Sequence, residues 1–481
     1  QIYTRASIYK KGTRISFSGT NTNYNWRTMA TYASGMGNSG WAYVISAGRR
    51  WADEGHFEGT NYDANSFFFS IEKKLSAGHS LNFTGFYTPN SRGKNSPNTA
   101  EVTELKSEKY NSYWGFQNGE KRNTRVRTID EPLFMLNHYF KINDRSSLIS
   151  GVMYQFGKVG NSNIDYQNAN SPDPVYYRKL PSYFSSLYAA DNGEFSGEFI
   201  PDYESAEKSK TLFLENSQID WEAMYKANQK AIINPERNIT GYEPAKSHYV
   251  LYEDRTDDKT LAFNSNLSSQ LTENIFFNGG LLFKNLKSHN FQNILDLLGG
   301  SYFEDIDPFY KGDQSQSDLK NPDRQVKAGD TYGYNFNYYA LTTEAFTQFK
   351  FAYRKVDFYL GNSFSTSQYQ REGLYQNGIY PNISLGKSEK VNFENFGFKG
   401  GLTYKISGRQ WLFFSGMHLT KEPSLRNTFS NSRLNNSIVN GIENENISAA
   451  DLNYVYHSPK LKMRITGYYA LIKNTTKTSF F

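Results

Sequence analysis

Alternation with a period of two runs through most of this chain. In HSLNFTGFY, Leu81, Phe83, Gly85 and Tyr87 share one face, and Asn82 and Thr84 share the other. In LAFNSNLSSQ, Leu261, Phe263, Ser265 and Leu267 oppose Ala262, Asn264, Asn266 and Ser268. FTQFKFAYRKVDFYLGNSFS reads as two such strands folded at 353–355. One face is largely apolar and the other is small, polar or charged, which is the pattern of strands standing between two different surroundings.

The connections alternate in length. Short turns are expected at 10–12, 34–40, 75–79, 141–146, 270–274, 353–356, 405–409 and 457–460, and long loops at 88–131, 157–260 and 287–336. Short turns on one side and long loops on the other mark a transmembrane β-barrel. A soluble sandwich or propeller would space its strands at about 8–12 residues and would rarely carry such loops. The expected class is therefore all-β, a transmembrane antiparallel barrel with about 16 strands present, in one domain over residues 1–481. The first strand is expected at 2–9 and the last at 463–472.

WAYVISAGRRW, from Trp41 to Trp51, carries a tryptophan at each end with the same parity. Ten residues at ~3.3 Å rise, tilted by about 45°, project to about 23 Å, close to the ~25 Å apolar band of such a barrel. Trp41 and Trp51 are thus expected at the two membrane belts, both facing outward, with Trp41 on the short-turn side. Arg49 would snorkel to the interface and Arg50 would face the lumen. Lys73, Lys74 and Lys405, beside short turns, read as cations snorkelling towards the lipid surface.

Two loop stretches predict helices. SQIDWEAMYKANQKA has Asp220 as N-cap before Trp221. HNFQNILDLLGG places Phe291, Ile294, Leu295 and Leu298 on one side and stops at Gly299–Gly300. NANSPDPVYYRKLPSYF reads as extended loop. With 2–9 running into a short turn and 463–472 leaving one, both ends would lie on the long-loop side. Bacterial barrels keep their termini on the other side, so the chain reads as the middle of a larger barrel. About 22 strands would fit, the size whose wide lumen is plugged.

Composition narrows the picture. The 481 residues are 38% hydrophobic yet 16% aromatic, against roughly 45–50% apolar in soluble domains. No stretch approaches ~18 consecutive apolar residues, so no transmembrane helix is expected. Gln1 opens the chain without a signal segment and reads as an internal or processed end. The absence of cysteine excludes a disulfide scaffold and a thiolate metal site. A net charge of +6 without a dense basic block argues against nucleic acid.

Motifs for bond chemistry are lacking. GMGNSG, 35–40, matches G-x-G-x-x-G but leads into a strand where a dinucleotide site needs a helix, so it reads as a turn. The seven histidines are scattered without metal-ligand spacing, and no G-x-S-x-G occurs. Neither enzyme activity nor a cofactor is expected. YFEDIDPFY sets Tyr302, Asp305, Asp307 and Tyr310 together in a long loop, and Tyr176, Tyr177 and Tyr183 form a second aromatic group. These seven are the candidate ligand contacts, since aromatic faces stack on sugars and chelates; the competing reading of YFEDIDPFY is a solvated loop with an Asp-Pro turn. YEDRTDDK, 252–259, reads as a surface charge cluster.

GWAYVISAGRRWADEGHFEGTNYDANSFFFSIEKKLSAGHSLNFTGFYTP closely resembles the barrel of a TonB-dependent outer-membrane receptor, of the subgroup with a carboxypeptidase-like regulatory domain before its plug. YWGFQNGEKRNTRV, EPLFMLNHYFKIND, NILDLLGGSYF and GGLTYKISGRQWLFFSG are similar to the same family, so the resemblance spans nearly the whole chain. It implies a bacterial outer-membrane importer of a scarce ligand (siderophore, glycan or peptide), energised through the TonB complex. No counterpart of the regulatory domain, the TonB box, the plug or the last strands is found in the sequence. Three other readings stand beside it: a passive porin-like channel, a surface adhesin, and a SusC-type importer paired with a surface lipoprotein.

Overall fold

The computed structural model describes residues 4–186, 188–191, 194–234 and 239–479. Eighteen strands form one antiparallel sheet, and fifteen long ones follow one another as an up-and-down meander. They are β1 (Gly12–Gly19), β2 (Trp26–Ala33), β3 (Trp41–Ala52), β4 (Tyr62–Lys74), β5 (His79–Tyr87), β6 (Leu133–Asn143), β7 (Ser146–Asp165) and β8 (Val250–Gln270). The meander continues with β9 (Ile275–Asp296), β10 (Thr331–Ala352), β11 (Val356–Gly373), β12 (Val391–Ser407), β13 (Gln410–Lys421), β14 (Glu445–His457) and β15 (Lys462–Lys473). Short strands Asn90–Gly93 and Val126–Asp130 prolong β5 and β6 outward and pair with each other. Pro89 and Pro132, which lack an amide to donate, mark where the strands are interrupted.

Side-chain parity divides the sheet into two faces. Along β3, Trp41, Tyr43 and Ile45 are exposed while Ala42 and Val44 are fully buried. Trp51 shares the face of Trp41, pairs across to Trp26, and Trp26 stacks on Phe17 at 5.4 Å. Exposed large apolar side chains continue along this face, among them Phe83, Leu136, Phe263, Leu281, Leu360, Phe398 and Phe414. In water each would forgo about 1.5–3 kcal/mol of burial, and no second layer covers them, so lipid is the solvent this face fits. No described helix is long and apolar enough to cross a membrane, which leaves the strands to do so.

The short turns expected at 34–40 and onward join strands as predicted, and the two strands folded at 353–355 are β10 and β11. The long strands differ from expectation in reach. β8, β9 and β10 run 21, 22 and 22 residues, roughly twice the crossing length of about ten. They project beyond the apolar band, and the long loops shrink to match. The helix expected over HNFQNILDLLGG is strand: Phe291 and Ile294 lie on the ladder to β8, with Ile294 opposite Tyr252 and buried against Val250 and Phe303. A four-residue helical match carried no information about the neighbouring ladder. The helix after Asp220 is present as Trp221–Ala227, capped by Asp220 on the Ala223 amide.

The first strand is the main correction. Within the expected 2–9, residues 2 and 3 lie outside the described part, and Ala6–Ile8 form a 3-10 turn. Ala6 is buried with Ala33, Ala42 and Val44 on the inner face. Arg5 pairs with Glu72 at 2.8 Å, and the amides of Ala6 and Ser7 donate to Asn82 and Glu72 at 3.0 and 2.9 Å. Those backbone groups find side-chain acceptors instead of a neighbouring strand, so the segment lies against the inner wall. β1 therefore starts on the short-turn side, with Gly12 opposite Ala33, and not among the long loops as expected. Lys405, beside the short turn at 405–409, is ion-paired with Asp357 at 2.7 Å.

Candidate functional site

Where β7 to β10 project past the apolar band, their inner faces and three loops enclose a cavity of about 1030 Å³. Period-two alternation supplies its walls: Asn161, Asn163 and Asp165 from β7, Asp254 and Thr256 from β8, Asn290 and Gln292 from β9. β10 supplies an aromatic row, Tyr332, Tyr334, Phe336 and Tyr338. Gly333, at φ +67°, sits in an irregularity where Gln292 faces Tyr332 but Phe291 faces Asn335. Two extra residues on β10 keep the parity, so the whole row faces inward. Loops 297–330, 374–390 and 422–444 close the cavity above with Asp305, Asp307, Asn377, Phe429 and Arg433.

The acids of the cavity are already engaged. Asp165 accepts from the Tyr332 hydroxyl and the Gln167 amide, both at 3.1 Å. Asp254 accepts from the Tyr334 hydroxyl at 2.7 Å and faces Arg433 at 3.5 Å. Asp305 is fully buried and ion-paired with Arg324, whose Nε donates to it at 3.1 Å, and it also accepts from the Gly333 amide at 2.8 Å. Burial works against the Arg324 cation, but Asp305 and Tyr375 outweigh it and raise its pKa. Asp307 accepts from the Phe309 amide within its own turn. Among the described residues no group of His, Asp and Glu could hold a metal ion.

Of the seven candidate ligand contacts, only Asp305 and Asp307 line this cavity. Tyr302 serves the loop backbone, its carbonyl accepting from the Ser247 amide, and Tyr310 is exposed outside the cavity. Tyr176, Tyr177 and Tyr183 form a separate surface group, with ring centroids 4.8 and 5.6 Å apart in succession and Arg178 donating to the Tyr177 hydroxyl at 2.9 Å. Sequence reasoning missed the β10 row, although TYGYNFNYYA alternates visibly. YEDRTDDK is not a simple surface cluster: Asp254 turns into the cavity, while Arg255 pairs with Glu253 and Asp257 on the opposite face.

No protein-family profile and no curated relative matches the chain. Solved structures do. The copper transporter OprC superposes with a TM-score of 0.56 at 10% identity, covering 96% of this chain and 54% of its own. The siderophore receptor PiuA from Acinetobacter baumannii gives 0.56 at 12%, covering 95% and 57%. The ferric-catecholate import receptor Fiu from E. coli K12, in its closed form, gives 0.56 at 11%, covering 97% and 59%. The chain thus spans little more than half the length of each of these TonB-dependent outer-membrane receptors. At such identities the likeness is one of architecture: this chain has the fold of the outer-membrane receptor β-barrel.

Proposed function

We propose that this chain is the barrel portion of a TonB-dependent receptor of the bacterial outer membrane, importing a scarce ligand through its lumen. The observation that carries the reading is the cavity at the outer mouth. It is enclosed by strand ends and loops on the lumenal side, and it combines an aromatic row with polar groups, the usual make-up of a ligand site. The chain's role is to bind and release, with no bond chemistry. Energy would come through the TonB complex, acting on a segment outside this chain. The segment 4–9, pinned to the inner wall by Arg5 and Glu72, lies where chain leading out of a lumen-filling plug would run.

The same reading makes these strands part of a larger closed barrel. β15 is exposed on both faces, and among the described residues no pairing joins it to β1. A lipid-exposed strand edge leaves amides and carbonyls unsatisfied at several kcal/mol each, so further strands would complete the ladder. Trp41 and Trp51 would mark the two lipid interfaces. The test is ligand uptake by cells carrying the full-length gene, with and without a protonophore. Active transport predicts that uptake collapses when the protonmotive force is removed; uptake that persists unchanged would show a passive channel instead.

A further inference from the structure

The charge on the lumenal wall bears on the kind of ligand, and the inference rests on the mouth cavity being the ligand site. In the outward extensions of β5 and β6, Arg92 lies directly opposite Arg127. One step further out, the Lys94 amide donates to the Arg125 carbonyl at 2.8 Å. Residues opposite one another, or two apart along a strand, share a face. Arg127 is opposite the cavity residue Asn161, and Lys94 and Arg125 line the cavity themselves. Four cations therefore form a two-by-two block on the inner wall. Arg27 opposite Arg50 repeats the arrangement on β2 and β3.

Like charges directly opposite destabilise a sheet, so such a block needs something to neutralise it. Among the described residues, none of these six cations is in an ion pair; of the cavity acids, Asp254 and Asp305 are ion-paired with Arg433 and Arg324, and Asp165 accepts from the Tyr332 hydroxyl. At close range Lys94 donates to Asn161 at 2.8 Å and Arg125 lies 5.2 Å from the Tyr113 ring, while Asp254 acts on Lys94 and Glu131 on Arg127 from beyond ion-pair distance. Arg127 Nε is buried without any acceptor. Burial, then the charges of Arg127, Arg125 and Arg92, lower the Lys94 pKa against a smaller opposing pull from Asp254. No described carboxylate lies within ion-pair distance of the block, which Lys94 and Arg125 present to the cavity.

We propose that Arg92, Lys94, Arg125 and Arg127 bind a multiply charged anionic group of the imported ligand, a polycarboxylate or a polyphosphate. Guanidinium forks on paired strands present parallel N–H donors that match either oxyanion. The test is equilibrium dialysis of the full-length protein in detergent with tricarballylate, inorganic pyrophosphate and, as neutral control, maltotriose. Saturable binding of at least one anion is expected, falling at least tenfold in R92Q/R127Q, weakening steeply with salt, and retained within threefold in K94R. Preference for tricarballylate assigns a carboxylate ligand, and preference for pyrophosphate a phosphate one. Folding is checked by heat-modifiable electrophoretic migration; should the double variant fail it, K94Q and R125Q carry the comparison. Binding of neither anion, or binding unchanged in the variants, overturns the proposal. If uptake still collapses with protonophore while anions fail to bind, only this inference falls and the transport reading stands.

Discussion

Asp305 gives the sharpest test of how the mouth is held together. Its carboxylate is 1% exposed and holds Arg324, which is 29% exposed, together with the Gly333 amide. Asp305→Asn keeps one acceptor and removes the charge. Removing one partner of a fully buried pair costs about 3–5 kcal/mol, but Arg324 keeps the Tyr375 hydroxyl at 2.8 Å, the Thr331 carbonyl and the Tyr375 ring face. A loss near one charged hydrogen bond, about 2 kcal/mol, is therefore expected. At 1.4 kcal/mol per factor of ten, local opening of loop 297–330 should rise about 30-fold. Amide hydrogen exchange of the full-length protein in detergent reads this directly at Gly333 and across 305–330. Protection unchanged within about threefold would refute the assignment of Asp305 as the anchor of that wall. Tyr375→Phe, which removes one neutral partner, should raise opening only about fivefold, from a loss of about 1 kcal/mol.

Other expectations are independent of that one. A Cβ on Gly115, in the short strand Trp114–Gln117, would lie 1.8 Å from the Ile219 carbonyl oxygen, so Gly115→Ala should displace that strand from the segment leading into the helix Trp221–Ala227 at about 1–3 kcal/mol; proteolysis between 215 and 230 no faster than in the parent would count against it. Single-tryptophan proteins retaining Trp41 or Trp51 should both be quenched by lipids brominated near the headgroups and neither by a lumenal, water-soluble quencher. Burial and neighbouring cations lower the Lys94 pKa, and a bound anion favours the protonated lysine. Pyrophosphate affinity should then fall as pH rises through that lowered value, below the usual lysine range, with proton uptake on binding; K94R should flatten the profile, and a flat profile in the parent would contradict the role of Lys94.

Much of the architecture was legible because a strand between lipid and lumen writes its two surroundings in alternate residues. Leu81, Phe83 and Tyr87, or Trp41 and Trp51, declare their common face without any knowledge of their neighbours, and the short turns follow from where alternation stops. The helix at Trp221 was equally local, since Asp220 caps it within three residues. What failed were segments whose state is set by partners far away. HNFQNILDLLGG has a helical spacing, but β8 and β10 offer it a ladder on either side. Residues 4–9 look like a strand, yet their amides are claimed by Glu72 and Asn82, more than sixty residues on.

The candidate site divides along the same line. Sequence placed Asp305 and Asp307 in an acidic, aromatic loop but could not say that Arg324 and backbone amides already occupy their oxygens. It showed R-x-K at 92–94 and R-x-R at 125–127 as isolated pairs inside an expected loop. Only the pairing of two strands more than thirty residues apart brings Arg92 against Arg127. Periodicity is a property of one strand and its two surroundings, so one sequence contains it. Whether a charge is spent or unspent depends on which strands and loops meet over it, and the tertiary structure alone decides that.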